Sequence, residues 1–187
     1  MPAWVARLSE PCLCSLVGRG APGAPWAGRA SSCCRVRAQA FALTANPPAY
    51  VMSIRGTLQI LPQRTYWAAT TSGLYRKAPG DSDWVVKLPG NGYTVNEVET
   101  IPGHPSCVYA GLGFVPGVAQ HRGGVEFSSD NGATWTCLSC GTQVHNTPVA
   151  DIQVDPTNPR FLWIATYGRG VWMYDWAGQL PTNCGGP

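Results

Sequence analysis

The sequence predicts an all-β protein, and both its composition and its internal repetition support that prediction. The 187 residues include 22 glycines, 17 prolines, eight tryptophans and seven tyrosines, whereas charged residues make up only 12% of the chain. Few charges combined with many aromatic residues argue against disorder over most of the length. No apolar run approaches the roughly eighteen residues of a membrane-spanning helix. The scarcity of lysine and glutamate argues against a helical bundle, which leaves a loop-rich protein of short strands.

Positive charge is concentrated at the start of the chain. Residues 1–45 contain five arginines and one glutamate, whereas residues 46–187 contain eight basic and nine acidic side chains. The net charge is therefore +4 for the first segment and −1 for the second. A nucleic-acid-binding surface needs clustered lysine and arginine on the folded part. Nucleic acid is therefore not an expected partner.

We interpret residues 1–45 as a disordered or spurious leader, because they show no sustained hydrophobic period of 2 or 3.6 residues. Two alternatives stay open. A secretory signal is one, since Ala38 and Ala40 have the small-x-small spacing of cleavage sites, although the apolar stretch at residues 12–18 is short. An organellar transit peptide is the other, since the segment is rich in arginine and poor in acids.

The cysteines and histidines predict neither a metal site nor a cofactor. Cys137 and Cys140 form a CxxC motif, which fits half of a zinc site, a redox pair or a disulfide. A zinc ribbon needs a second such pair, and Cys107 and Cys184 have no cysteine at that spacing. We expect ordinary thiols, or a small disulfide loop in an exported protein. The histidines lack the spacing of metal ligands; they are His104, His121 and His145.

The sequence contains three similar units in succession. Pairs of apolar and glycine residues recur in the units with a constant separation of eleven residues. Repetition on a scale of 20 to 50 residues is typical of propellers, solenoids and arrays. The approximate bounds of the three units are 50–90, 94–141 and 147–178. The recurring pairs are Gly73 and Trp84, Gly124 and Trp135, Val98 and Tyr109, and Ile152 and Trp163.

Each unit has the pattern of short strands separated by turns. In the third unit, residues 149–154 alternate between apolar and polar and end at a proline-rich turn, residues 155–159. A β-branched and aromatic run follows at residues 161–166, and glycines separate it from residues 171–174. Four short strands in each unit indicate a propeller blade. We therefore predict that residues 46–187 form a partial β-propeller of about three four-stranded blades, which stack because so small a sheet cannot bury its faces alone.

One motif in the second unit is specific. It reads S-x-D-x-G-x-T-W and consists of Ser128, Asp130, Gly132, Thr134 and Trp135. Its glycine supports a positive-φ turn, its serine and aspartate are suited to bind exposed backbone N–H groups, and its tryptophan is suited to fill the gap between layers. The motif resembles an Asp-box, also called a BNR repeat, and this resemblance implies a structural role rather than a calcium or substrate site. At the same place in the first unit only Trp84 is kept.

Residues from about 50 to 178 resemble bacterial Asp-box β-propellers, a group that includes sialidases, xyloglucan-degrading glycoside hydrolases and sortilin-like receptors. The segments at residues 154–159 and 165–172 are most similar to the xyloglucanase and sortilin-like branch. The resemblance implies a secreted or envelope-associated protein. Closed propellers have about four to eight blades, so we expect a fragment with missing blades, or a chain that closes as a homo-oligomer.

The favoured function is a non-catalytic propeller segment that recognises a glycan or a protein. The alternative is a propeller glycoside hydrolase, which needs two carboxylates about the scissile bond. Glu97 and Asp151 occupy equivalent repeat positions and are the candidate pair. A sialidase is disfavoured, because Ser53-Ile-Arg55-Gly stands where its Arg-Ile-Pro motif is expected, and Arg169 is interpreted as structural.

Recognition is expected at loops and exposed aromatic rings. Residues 114–122 lengthen one loop of the second unit, and long loops on a rigid scaffold often carry binding sites. Tyr93, Tyr167 and Trp176 are the aromatic residues predicted to stack on sugar faces if they are exposed.

Overall fold

The computed structural model describes residues 50–57, 64–115, 123–177, 180 and 184. The leader predicted at residues 1–45 and most of the lengthened loop at residues 114–122 lie outside the described residues. In the described part every regular element is a strand, which confirms the all-β prediction. No helix among these residues is long and apolar enough to cross a membrane.

Eleven strands of the described chain form three antiparallel sheets, and the strands of each sheet follow one another in chain order. We call the sheets blade one, blade two and blade three. Blade one contains β1 (Val51–Gly56), β2 (Tyr66–Thr70), β3 (Gly73–Lys77) and β4 (Val85–Pro89). Blade two contains β5 (Tyr93–Ile101), β6 (His104–Phe114), β7 (Gly124–Ser128) and β8 (Thr136–Cys137). Blade three contains β9 (Val149–Val154), β10 (Phe161–Thr166) and β11 (Gly170–Asp175).

The sheets approach one another most closely at their first strands, because β1 contacts β5 and β5 contacts β9. Sheets that meet at first strands and are each an antiparallel meander have the arrangement of propeller blades. Blade three departs from the predicted four strands, since the described residues form three. After β11 the chain turns at Ala177, which has a φ of 51°. Trp176 folds back over blade two, where its indole N–H donates to the Tyr109 hydroxyl at 2.8 Å.

An apolar core fills each space between neighbouring blades. Burial of such surface is worth about 25 cal/mol per Å² and is the main force that holds the stack together. The core between blades one and two contains Trp67, Ala69, Leu74, Tyr93, Val95, Val98, Val108, Ala110 and Leu112. The core between blades two and three contains Ile101, Cys107, Tyr109, Val125, Phe127, Val144, Val149, Ile152, Val154, Leu162, Ile164 and Cys184.

Four cysteines of the described chain form two disulfides. Cys137 is bonded to Cys140, so of the three interpretations of the CxxC motif the structure has the disulfide. Cys107 is bonded to Cys184 across 77 residues. The expectation that these two remain ordinary thiols is wrong. No local spacing indicates this pairing, because the fold brings the two residues together only after blade three has stacked on blade two.

Candidate functional site

Ser53, Glu97 and Asp151 occupy the same register position on the first strands of the three blades. We call them the first row. In each first strand the residue immediately before the first-row residue forms a β-bulge. A bulge bends the strand and changes the direction of the side chain that follows it. The bulged residues are Met52, Asn96 and Ala150. The row residues pair with Ala69, Gly111 and Ala165 respectively.

A second row lies two residues further along the same strands. It consists of Arg55, Glu99 and Gln153, whose partners across the sheet are Trp67, Tyr109 and Trp163. Alternate residues of a strand point to the same face, so the two rows lie side by side where the first strands meet. The structure therefore places the candidates Glu97 and Asp151 in one polar strip with four further side chains.

An ion-pair network joins blade one to blade two within this strip. The Ser53 hydroxyl donates to Glu97 Oε1 at 2.6 Å, and Arg55 Nη2 lies 3.2 Å from the same oxygen. Arg55 Nε donates to Glu99 Oε2 at 3.0 Å. The two glutamate side chains are each 12% exposed, whereas that of Arg55 is 37% exposed. Hydrogen bonds to ionised groups are stronger than neutral ones, so this network fixes the relative position of the two first strands.

Burial raises the pKa of Glu97, because desolvation disfavours its charged form. The Ser53 hydrogen bond and the charge of Arg55 act in the opposite direction. The negative charge of Asp151 on the neighbouring blade raises the pKa further. Asp151 itself is exposed, and its Oδ1 accepts the Ile152 N–H at 2.9 Å. The two carboxylates are therefore close enough to influence one another and have different surroundings.

Ser53, Arg55 and Glu99 were not predicted as members of a site. Ile54 and Trp67 are 13 residues apart, whereas Val98 and Tyr109, which occupy the corresponding positions, are eleven apart. Because the first hairpin of blade one is two residues longer, the eleven-residue spacing does not align it with the others. A comparison that allowed this insertion would have placed Ser53 beside Glu97.

Two of the three aromatic residues predicted to stack on sugars make contacts within the protein instead. Tyr93 is 4% exposed and belongs to the core between blades one and two. Trp176 packs edge-on against Phe127 at a ring separation of 5.0 Å. Tyr167, in the turn between β10 and β11, is 63% exposed. Arg169 in the same turn donates to the Gln143 carbonyl at 3.3 Å.

The Ser128–Trp135 motif forms a turn that its own side chains hold. The Ser128 hydroxyl accepts the Gly132 N–H at 2.8 Å and donates to Asp130 Oδ1 at 2.8 Å. The same aspartate oxygen accepts the N–H groups of Ala133 at 3.0 Å and Thr134 at 2.9 Å. Asp130 Oδ2 accepts the Thr134 hydroxyl at 2.5 Å. Both carboxylate oxygens therefore bind the turn itself.

The same turn packs blade two against blade one. Gly132 has a φ of 74°, and a Cβ atom there would lie 3.1 Å from Trp67 Cη2 and from Lys87 Cβ, so both the backbone conformation and the close approach of blade one favour glycine. Trp135 packs against the core, and its indole N–H donates to the Lys87 carbonyl at 2.9 Å. The motif thus acts as a contact between blades.

Two other features near blade three have some of the properties of a binding site. Cys137, Cys140 and His145 have ligand atoms within 4.8 Å of one another, but the two sulfurs are bonded together and are not thiolates. A mainly apolar cleft of about 160 Å³ lies beside them, between Val125, Val144 and Trp172. Ligand pockets are usually about 300–1,000 Å³, so this cleft is too small for an oligosaccharide.

No protein-family model matches the chain, and no curated protein matches it. Among solved structures it is similar to the crystal structure of the GH74 enzyme of Niastella koreensis, with 17% sequence identity and a TM-score of 0.45. The match covers 60% of this chain and 18% of that one, so this chain spans less than a fifth of the enzyme's length. The class of protein follows from the sheet topology: an all-β protein of stacked, propeller-like blades.

Proposed function

We propose that this chain is a non-catalytic recognition module that binds a glycan or a protein through the polar strip formed by the two rows. The observation that carries the proposal is the network between blades one and two. Because Glu97 Oε1 is held by both Ser53 and Arg55, this carboxylate stabilises the scaffold. Asp151 and Gln153, on blade three, are exposed and present hydrogen-bonding groups to the surroundings.

A neutral, hydroxyl-rich ligand suits this strip best. Carboxylates accept hydrogen bonds, guanidinium groups donate them, and hydroxyls and amides do both, so the strip matches the mixed donors and acceptors of an oligosaccharide. The exposed ring of Tyr167 adds an apolar face of the kind that stacks on sugars. A protein ligand would use the same groups, and it would be favoured if the chain bound no oligosaccharide.

The experiment is calorimetric titration of the full chain with neutral β-glucan and xyloglucan oligosaccharides, comparing the wild type with Asp151→Asn. We expect the substitution to weaken binding about tenfold or more, because a hydrogen bond to a charged group contributes about 1.5–3 kcal/mol. Asp83→Asn is the matched control, since Asp83 is also exposed and its Oδ1 also accepts the N–H of the next residue, at 2.7 Å. Equal effects of the two substitutions would contradict the assignment of the ligand to this strip.

Glycoside hydrolysis is the second candidate, and one observation favours it. Burial and the charge of Asp151 both raise the pKa of Glu97, and a raised pKa is what a general acid requires. Glu97 would then protonate the leaving oxygen and Asp151 would serve as the second carboxylate. Release of reducing sugar by the wild type, lost in Glu97→Gln, would favour this candidate and overturn the non-catalytic proposal.

We also propose a secreted or envelope location. Disulfides persist in oxidising compartments and are rare in the cytosol, and the described chain contains two. Alkylation of the unfolded protein, purified without reductant, followed by peptide mapping tests this, because it distinguishes these four cysteines from the four in residues 1–45. Alkylated thiols at Cys107, Cys137, Cys140 and Cys184 would contradict it.

A further inference from the structure

The two disulfides of the described chain differ in accessibility. Cys107 and Cys184 are 0% and 2% exposed and belong to the core between blades two and three. Cys137, at the end of β8, is half-buried, and Cys140, in the loop that follows, is exposed. Exposed disulfides are more labile than buried ones and more often have regulatory or catalytic roles. Of the two bonds, Cys137–Cys140 is therefore the one that an external thiol reaches.

Hydrogen bonds that do not involve the sulfurs hold the loop around this bond. The Ser139 hydroxyl accepts the Val125 N–H at 3.0 Å, and the Val125 carbonyl accepts the Ser139 N–H at 3.3 Å. The Ser139 carbonyl accepts the N–H of Thr142 at 3.0 Å and its hydroxyl at 2.6 Å. Reduction of the bond therefore leaves the two sulfurs side by side, as a reversible pair requires.

A histidine lies beside the same bond. His145 is exposed, and one of its ring nitrogens lies within 4.8 Å of both sulfurs. Its backbone N–H donates to the Thr142 carbonyl at 3.2 Å, which fixes its place in the loop. A cationic imidazole stabilises a neighbouring thiolate, and a more stable thiolate is a faster leaving group in exchange. His145 is thus placed to assist opening of the bond.

An apolar cleft shares this loop. It has a volume of about 160 Å³, and its walls include Leu138 and Ser139, the two residues between the cysteines, together with Val144 and Trp172. A cavity of about this size accepts a benzene molecule, so the cleft accommodates one apolar side chain. A cysteine that has an apolar neighbour is therefore the thiol that suits this place best.

We propose that the Cys137–Cys140 bond is a thiol–disulfide exchange site for polypeptide cysteines that have an apolar neighbour. A substrate thiolate attacks Cys140 Sγ and forms a mixed disulfide, while the Cys137–Cys140 bond breaks and its electron pair leaves on Cys137 Sγ, which takes up a proton from water. A second substrate thiolate attacks the substrate sulfur of the mixed disulfide and releases Cys140. Two substrate thiols are thereby oxidised to one disulfide, and the protein disulfide is reduced to two thiols. A low-molecular-weight disulfide such as oxidised glutathione reverses the change.

The experiment treats the oxidised full chain, without denaturant, with a short peptide in which phenylalanine follows cysteine. Alkylation and tryptic mapping then follow each bond separately, because the tryptic peptide of residues 123–160 contains Cys137 and Cys140 and no other cysteine. We expect this bond to be reduced about a hundredfold faster than Cys107–Cys184, whose opening requires local unfolding. Equal rates for the two bonds, or a Cys137–Cys140 bond that resists reduction until denaturant is added, would overturn the proposal.

Two single-cysteine variants identify the sulfur that is attacked. Cys137→Ser leaves the exposed Cys140 as a thiol, and Cys140→Ser leaves the half-buried Cys137. We expect the first thiol to form a mixed disulfide with oxidised glutathione about tenfold faster than the second, because the reactivity of a thiol follows its accessibility. The reverse order would contradict attack at Cys140. Thermal melts of both variants show whether they fold.

The roles of the histidine and the cleft are tested by the rate of reduction of the same bond. His145→Ala should slow it about fivefold, because the departing thiolate loses a stabilising neighbour. His104→Ala is the matched control, since the His104 ring contacts the Cys184 carbonyl instead, and it should leave the rate unchanged. A peptide with asparagine in place of phenylalanine should react about tenfold more slowly, because it buries no apolar ring. Equal rates with the two peptides would contradict the proposed substrate class.

Discussion

Blades one and two are the two four-stranded sheets of the described chain, and they close their outer hairpins differently. In blade two the turn is held by Ser128 and Asp130, and Trp135 reaches across to the Lys87 carbonyl. Cysteines add the Cys137–Cys140 and Cys107–Cys184 bonds. Blade one has no cysteine between residues 50 and 92.

In blade one the corresponding turn is held mainly by Asp81, while Asp83 accepts the N–H of the residue that follows it. Asp81 Oδ2 accepts the Ala78 N–H at 2.8 Å and lies 3.8 Å from Arg76 Nη2, and the Asp81 carbonyl accepts from Lys77 Nζ at 2.5 Å. Asp81 thus binds one backbone N–H, whereas Asp130 binds two backbone N–H groups and the hydroxyls of Ser128 and Thr134. The comparison teaches that carboxylates hold the turn in both blades, that the serine of blade two adds hydrogen bonds within the turn, and that its tryptophan adds a contact between blades.

The disulfides are expected to cause the largest difference in stability between blade one and the other two blades. In the chain-entropy view, the bond between Cys107 and Cys184 closes a 77-residue separation and contributes about 4 kcal/mol, whereas a closure of three residues contributes about 1–2 kcal/mol. The double variant Cys107→Ala, Cys184→Ala should therefore lose more stability in urea unfolding than Cys137→Ala, Cys140→Ala. Hydrogen exchange should show lost protection in blades two and three before blade one. Similar losses for both double variants would contradict this order.

The tryptophans at the two turns give the next largest difference. Trp135→Ala removes packing against the core and the bond to Lys87, so we expect a loss of about 3 kcal/mol. Among the described residues, Trp84 belongs to neither apolar core, and we expect Trp84→Ala to cost about 1 kcal/mol. Trp135→Phe separates the contribution of packing from that of the hydrogen bond to Lys87, because it keeps an aromatic ring but loses the indole N–H. Urea midpoints of the three variants provide the measurement, and equal costs for the two alanine variants would refute the comparison.

The sequence predicts those parts of the fold that depend on residues close together in the chain. Gly124 and Trp135 lie within one hairpin, so their spacing and turn residues indicate the strands directly, and the repetition of such units predicted the three sheets. Contacts between blades were harder to predict. The network of Arg55 with Glu97 depends on how two sheets meet, and a longer first hairpin hides its register. The Cys107–Cys184 bond and the burial of Tyr93 likewise depend on stacking rather than on local pattern.

The smallest expected difference is a dependence on pH that belongs to blade two. Hydrogen bonds from the Thr134 hydroxyl and N–H lower the pKa of Asp130 from 3.8 to about 2. A carboxylate with a lowered pKa stabilises the folded state above its unfolded value and loses that contribution as the pH falls through its folded value. The wild type should therefore lose stability between about pH 4 and pH 2, and Asp130→Asn should lose less over that interval.

Asp130 is exposed, so water screens its contribution. We expect a difference of about 1 kcal/mol or less, the size of a side-chain cap on a helix end. Urea unfolding at pH 4.5, 3 and 2 gives the measurement, with Asp81→Asn as the control in blade one. Asp155 and Asp175 also have lowered pKa values, the first through Thr157 and the second through Arg160. Their contribution is common to all three proteins and cancels in the comparison. If Asp130→Asn kept the full acid sensitivity of the wild type, the turn of blade two would not be held by an ionised carboxylate.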